Sequence, residues 1–171
     1  MDTNSKDVVV VLSVGSNIGH RKQNINSAYR LLLESNVLNS SKISSFYETE
    51  PVGNKNQDWF INAAITGITN LPLINFIQLC KSIEYSVGRK KREPYAPREI
   101  DIDIILYGDE MYETKALTVP HTRMHERKFV LEPASEIAGT ALHPKFSKTI
   151  IQLLNECEDD SVVRLCEKVK T

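Results

Sequence analysis

Residues 96–108, APREIDIDIILYG, carry the side chains whose types and spacing are fit for chemistry. Asp101 and Asp103 alternate there with Ile100, Ile102 and Ile104. On an extended chain, side chains at i and i+2 share a face, about 6.6 Å apart at ~3.3 Å rise per residue. Such a strand buries its isoleucines and presents two hard oxygen ligands, suited to Mg²⁺ held together with a phosphate chain. A carboxylate pair of this kind can serve two ions ~3.5–4 Å apart. A solvated edge strand shows the same alternation, but the neighbouring basic residues favour a metal site. Arg89, Lys90, Lys91, Arg92 and Arg98 crowd the segment just upstream, between Gly88 and the rigid Ala96-Pro97. Guanidinium forks match phosphate oxygens, and a basic loop that closes over a polyphosphate would exclude water from it.

A second tier of candidates is less specific. Phe60 and Asn62 share a strand face by the same spacing, an aromatic ring beside an amide that both donates and accepts, as a planar heterocycle requires; a core Phe beside a capping Asn is the plainer alternative. Phe129 is a candidate for the opposite wall, or simply core. His121, Arg123, His125 and Arg127 form a second basic cluster, better matched to phosphate than to zinc because no further Cys or His lies nearby. Glu84 borders an apolar helical stripe, from where it can reach a ligand. The GSNIG turn, residues 15–19, is not a phosphate-binding P-loop, since the Gly-Lys-Ser/Thr ending is missing.

The elements that position these residues follow from hydrophobic periodicity. Residues 8–14 form a continuous valine-rich run, read as a strand buried on both faces and ending at Gly15. Ile25, Ala28, Tyr29 and Leu32 recur at helical spacing over residues 21–34. Strands are expected at 43–48 and 60–69. After Asn70 and Pro72, the stripe Leu73, Phe76, Ile77, Cys80, Ile83 and Val87 predicts a helix that Gly88 ends. The Asp strand, 100–107, follows. This β-α-β-β-α-β order is the ferredoxin-like α+β arrangement, an antiparallel sheet with two helices on one face. The remainder is expected to add a C-terminal helical extension near 147–157, with 158–171 open between an edge strand and a short helix.

At 171 residues, 41% hydrophobic and 25% charged, the chain has the composition of one soluble domain, read as spanning 1–171 with a flexible segment at 1–7. A net charge of −1 argues against a dedicated nucleic-acid binder. An RNA-binding module would also want exposed aromatics on its central strands, and a nucleotide-sugar transferase with an Asp pair is an unlikely occupant of so short a chain. Three cysteines without CxxC spacing point to a reducing compartment, and no run is long enough to span a membrane. The expectation is a cytoplasmic protein with no nucleic-acid or membrane partner.

VLSVGSNIG, SSFYETEPVG, WFINAA, IEYSVGR, APREIDIDIILYG and LTVPHTRMHERKFVLEP, in that order, resemble the 6-hydroxymethyl-7,8-dihydropterin pyrophosphokinases of folate biosynthesis over nearly the whole chain. The resemblance implies a monomer that transfers a diphosphoryl group from MgATP to the pterin hydroxymethyl and releases AMP. It implies that Asp101 and Asp103 ligate two Mg²⁺ ions, and that Arg89, Lys91 and Arg98 belong to the catalytic machinery. Thr49, Val52, Phe60, Asn62 and Phe129 would form the pterin pocket. Ile77, Lys81, Glu84, Arg98, Ile104, Thr118, His121 and Arg127 would hold ATP. Where the family's loop commonly reads Arg-Trp-Gly-Pro-Arg, this chain has Pro94-Tyr95-Ala96-Pro97-Arg98, leaving Arg92 as the nearest substitute for the missing arginine. Ala116 stands at a position often basic, beside Lys115.

Overall fold

The computed structural model describes residues 6–115 and 117–167; most of the expected N-terminal flexible segment and Ala116 lie outside them. Its centre is β1 (Val8–Ser16), which pairs antiparallel with β4 (Phe60–Thr69) on one side and β5 (Asp101–Tyr107) on the other. β3 (Phe46–Thr49) pairs with β4, and β10 (Val163–Glu167) pairs with β3. The strand order is therefore β10-β3-β4-β1-β5, with β2 (Asn39–Ile43) also bonded to β4. This is the expected α+β class.

Two helical layers sandwich the sheet. On one face α1 (Arg21–Glu34) and α2 (Leu73–Val87) bury Ile25, Leu32, Phe76 and Ile83 against Leu12, Val14, Ile102 and Ile104. On the other, α3 (Lys128–Ala138) and α4 (Ile150–Glu156) bury Leu131, Ala134 and Leu153 against Val11, Ala64 and Ile105. Successive residues of the valine-rich run thus enter different cores, which is why that run reads as continuous rather than alternating.

Several expectations are revised. The helices do not lie on one face only: α3 occupies sequence for which no element is expected, and it carries Pro133 inside it. β1 continues through Gly15 and Ser16, since both stay paired with β4 where a turn was expected. The strand expected at 43–48 is two strands. At the break, the Ser44 hydroxyl accepts the Ala64 N–H while the Ser44 N–H donates to the Ala64 carbonyl. The helix near 147–157 is shorter, Ile150–Glu156, and starts at a Thr149–Gln152 capping box. Residues Val163–Glu167 resolve the open C-terminal alternative as an edge strand. Two short hairpins, β6 (Tyr112–Glu113) with β7 (Thr118–Val119) and β8 (Leu142–His143) with β9 (Lys148–Thr149), and a 3-10 turn at Met124–Glu126 complete the described elements.

The second layer has a direct test. Leu131 is fully buried in it, so Leu131→Ala is expected to lower unfolding free energy by ~2–5 kcal/mol in urea titrations. A loss below about 1 kcal/mol would mean α3 does not close that face.

Candidate active site

Directly paired residues of antiparallel strands point to the same face, so the register builds a small lattice on the α3 side of the sheet. One row is Asp101–Gly15–Asn62 and the next Asp103–Ser13–Ala64, across β5, β1 and β4. These rows floor a cavity of about 530 Å³, with Phe129, from the first turn of α3, on its wall. Gly15 is dictated by close approach: a Cβ there would meet Asn62 Oδ1 at 2.5 Å. Without it, Asn62 stays buried and donates from Nδ2 to Thr49 Oγ1 at 2.6 Å.

The acidic end of the lattice is wired to bases. Arg89 Nη1 and Arg98 Nη1 donate to Asp101 Oδ1 and Oδ2, each at 2.5 Å. The Arg89 nitrogen also reaches Glu84 Oε1 at 2.6 Å. Glu84, 3% exposed, further accepts the Ile102 backbone N–H and the Lys81 ammonium. Its carboxylate is therefore committed to holding Arg89 and Lys81 rather than offered to a ligand. Burial favours the neutral form of Asp101, but the charges of Arg98 and Arg89 outweigh it and hold the carboxyl below its ordinary range. Asp103 is pushed up to about 7 by burial first and the negative Asp101 second. Among the described residues it accepts no hydrogen bond.

The rim is basic and polar. Arg127 and His121 line the cavity, and the Arg127 Nε–H is buried without a partner, a donor left for something not of this chain. His121 Nδ1 accepts the Arg123 N–H, which leaves the proton of the neutral ring on Nε2; burial and then Arg127 lower its pKa. Asn17, 2% exposed, ties three segments together. It donates from Nδ2 to Gln57 Oε1 and the Asp58 carbonyl, and its Oδ1 accepts the Arg98 N–H.

Most sequence-predicted residues meet here. Thr49, Val52, Phe60, Asn62 and Phe129 line one part of the cavity; Lys81, Arg89, Arg98, Thr118, His121 and Arg127 line the rest, around Asp101 and Asp103. Lys91 and Glu84 instead line an adjoining groove, which shares Lys81, Arg89, Tyr95 and Arg98 with the cavity. Ile77 and Ile104 are not brought to the cavity; both pack in the α1–α2 core, Ile104 because it lies on the opposite face of β5 from the acids. Arg92, the nearest substitute for the loop arginine displaced by Pro94, lines the adjoining groove rather than the cavity. It forks onto Glu99 at 2.6 and 2.8 Å. Ser13, Gly15, Asn17 and Gln57 shape the site although the expectations from sequence gave none of them a role in it; the β1 register is the signal that finds the first two.

Among the described residues no group of three His, Cys, Asp or Glu side chains gathers as a metal cage. Two carboxylates beside a basic cavity fit Mg²⁺ instead, which is held by one or two carboxylates while a phosphate chain supplies further oxygens.

The family model for 7,8-dihydro-6-hydroxymethylpterin-pyrophosphokinase (HPPK) matches residues 11–139. The chain is 40% identical over 129 residues to the 2-amino-4-hydroxy-6-hydroxymethyldihydropteridine pyrophosphokinase of Bacillus subtilis, covering 75% of this chain and 77% of that one. It is 40% identical over 141 residues to the protein of the same name from Aquifex aeolicus, covering 82% and 87%. To the folic acid synthesis protein fol1 of Schizosaccharomyces pombe it is 35% identical over 92% of its own length, but spans only 22% of that protein. The fold matches wild-type Plasmodium falciparum HPPK-DHPS with a TM-score of 0.68 at 16% identity, over 88% of this chain and 45% of that one.

Asp103 gives a stability signature. Its folded-state pKa near 7 lies above the unfolded value of 3.8, so the folded state loses stability as pH rises between the two. In metal-free buffer, Asp103→Asn is therefore expected to raise the melting temperature at pH 8, with the gain vanishing towards pH 4. A pH-independent difference would contradict the assignment.

Proposed function

The chain belongs to the 7,8-dihydro-6-hydroxymethylpterin-pyrophosphokinase family, and on that premise we propose that its cavity transfers the diphosphoryl group of ATP to the hydroxymethyl of 6-hydroxymethyl-7,8-dihydropterin, within folate synthesis. The observation that carries this reading is the lattice floor, which sets Asp101 and Asp103 between an arginine pair and the Phe60–Asn62 wall. The hydroxymethyl oxygen loses its proton to solvent and forms a bond to the β-phosphorus of ATP, the bond from that phosphorus to the α,β-bridging oxygen breaks, and AMP leaves.

The protein's part is positioning and charge stabilisation, which carry most of phosphoryl-type catalysis. Phe60 and Phe129 offer apolar ring faces to the pterin, and Asn62, pinned by Thr49, offers its amide to the heterocycle edge. Arg89, Arg98, Arg127 and His121 donate to the phosphates. Asp101 and Asp103 are the residues that would hold two Mg²⁺ ions, which neutralise phosphate charge and acidify the attacking alcohol. Asn17 links Arg98 to the loop carrying Gln57, so the nucleotide and pterin sides are fixed by one buried amide. All these side chains come from one chain, which supports a monomeric working unit and one pyrophosphokinase domain over 1–171. The three cysteines form no disulfide among the described residues, which fits a reducing, cytoplasmic setting. No described helix is long and apolar enough to cross a membrane.

With MgATP and 6-hydroxymethyl-7,8-dihydropterin, the nucleotide product resolved by ion-exchange chromatography is expected to be AMP; ADP would contradict diphosphoryl transfer. Asp103→Ala is expected to lower kcat by at least about 100-fold with the melting curve still cooperative. Gly15→Ala, by displacing Asn62, is expected to raise the KM for pterin roughly tenfold while that for ATP stays within about twofold. Equal rises in both constants would place Gly15 outside the pterin side.

A further inference from the structure

Ser13 interrupts the apolar run of β1 with a hydroxyl in the middle of the cavity floor. It is 6% exposed, and among the described residues its hydroxyl makes no hydrogen bond. The side chain opens onto the cavity, so its donor is available there, where a valine or alanine would offer none. Its cross-strand partner is Asp103, on the same face. Facing residues of an antiparallel pair hold their Cβ atoms about 4.5–5.5 Å apart, which brings a serine hydroxyl within a rotamer change of the carboxylate. Among the described residues the Asp103 carboxylate, like the Ser13 hydroxyl, has no hydrogen-bond partner, whereas Asp101 is fixed at both oxygens by Arg89 and Arg98. The two acids are thus unequally supported, and Ser13 is the donor placed beside the unsupported one.

We propose that Ser13 is a positioning residue for Asp103: when the site is loaded, a change of rotamer lets its hydroxyl donate to one carboxylate oxygen and leaves the other turned into the cavity. The role rests on the assignment of Asp101 and Asp103 as metal-holding residues. It uses the hydroxyl to do for Asp103 what the arginines do for Asp101, without adding a positive charge that would compete with the cation. The neighbouring Ala64, on the other side of Ser13, is fully buried and apolar, so no second acceptor side chain competes for that hydroxyl along the row.

The test is calorimetric titration of Mn²⁺ into the protein saturated with a non-hydrolysable α,β-methylene analogue of ATP. Ser13→Ala is expected to weaken Mn²⁺ binding about tenfold, the order lost with a hydrogen bond to a charged group. The affinity for pterin and the melting temperature are expected to stay near those of the parent. Ser13→Thr, which keeps the hydroxyl, is expected to restore the Mn²⁺ affinity to within about threefold. Unchanged Mn²⁺ binding in a folded Ser13→Ala protein overturns the proposal, as does an equal loss of pterin affinity, which would make Ser13 a wall residue. Absence of Mn²⁺ binding by the parent protein itself would overturn the metal assignment, and this role with it.

Discussion

Everything in the site depends on how Asp101 is held. A half-buried carboxylate on a strand between two cores costs several kcal/mol unless its charge is met, and here two arginines from one basic loop meet it at 2.5 Å each. Arg89 is itself gripped by Glu84, whose carboxylate also receives the Ile102 N–H next along the chain from Asp101. The chain α2–Arg89–β5 is therefore closed by charge on both sides. The loop that carries Arg89 and Arg98 cannot be placed independently of the acids, so the groups proposed to bind phosphate and to hold metal are assembled as one unit.

That unit carries an inherent exchange. Asp101 is satisfied by arginines as long as nothing else is bound. In the proposed function a cation would supply the carboxylates with a stronger partner, and a phosphate chain would supply the arginines with another. The same groups that stabilise the fold are then free to grip substrate. Asp103 lacks such support and has its pKa raised to about 7 by burial and Asp101, a local destabilisation of the kind that active sites retain. On the far side of Gly15, the Asn62–Thr49 pair needs no exchange, because a neutral amide facing a heterocycle has no charge to neutralise.

The parts of this arrangement governed by local pattern were legible in the sequence. The i, i+2 spacing placed Asp101 and Asp103 on one face, the stripe from Leu73 to Val87 marked α2, and Pro72 and Gly88 marked its ends, with Gly88 in the left-handed region. What was not legible required register or tertiary contact. Gly15 looked like the start of a turn because glycine usually is one; its actual reason is Asn62 across the sheet. Glu84 could be put near the site but not recognised as a holder of Arg89, since its partners lie 5 and 18 residues away. Ile104, carried over by resemblance, lies on the face of its strand that points into the core. α3 was not assigned, although Val130, Leu131 and Ala134 recur at helical spacing, because Pro133 within it is ordinarily a helix breaker.

The exchange at Asp101 is open to direct observation in a crystal of the protein with Mn²⁺, an α,β-methylene ATP analogue and the pterin substrate, with anomalous scattering used to locate the metal. The account predicts anomalous density in contact with both Asp101 and Asp103, and guanidinium groups of Arg89 and Arg98 turned from Asp101 onto phosphate oxygens. Metal density away from the two acids, with both arginine–Asp101 pairs intact beside bound nucleotide, would contradict it.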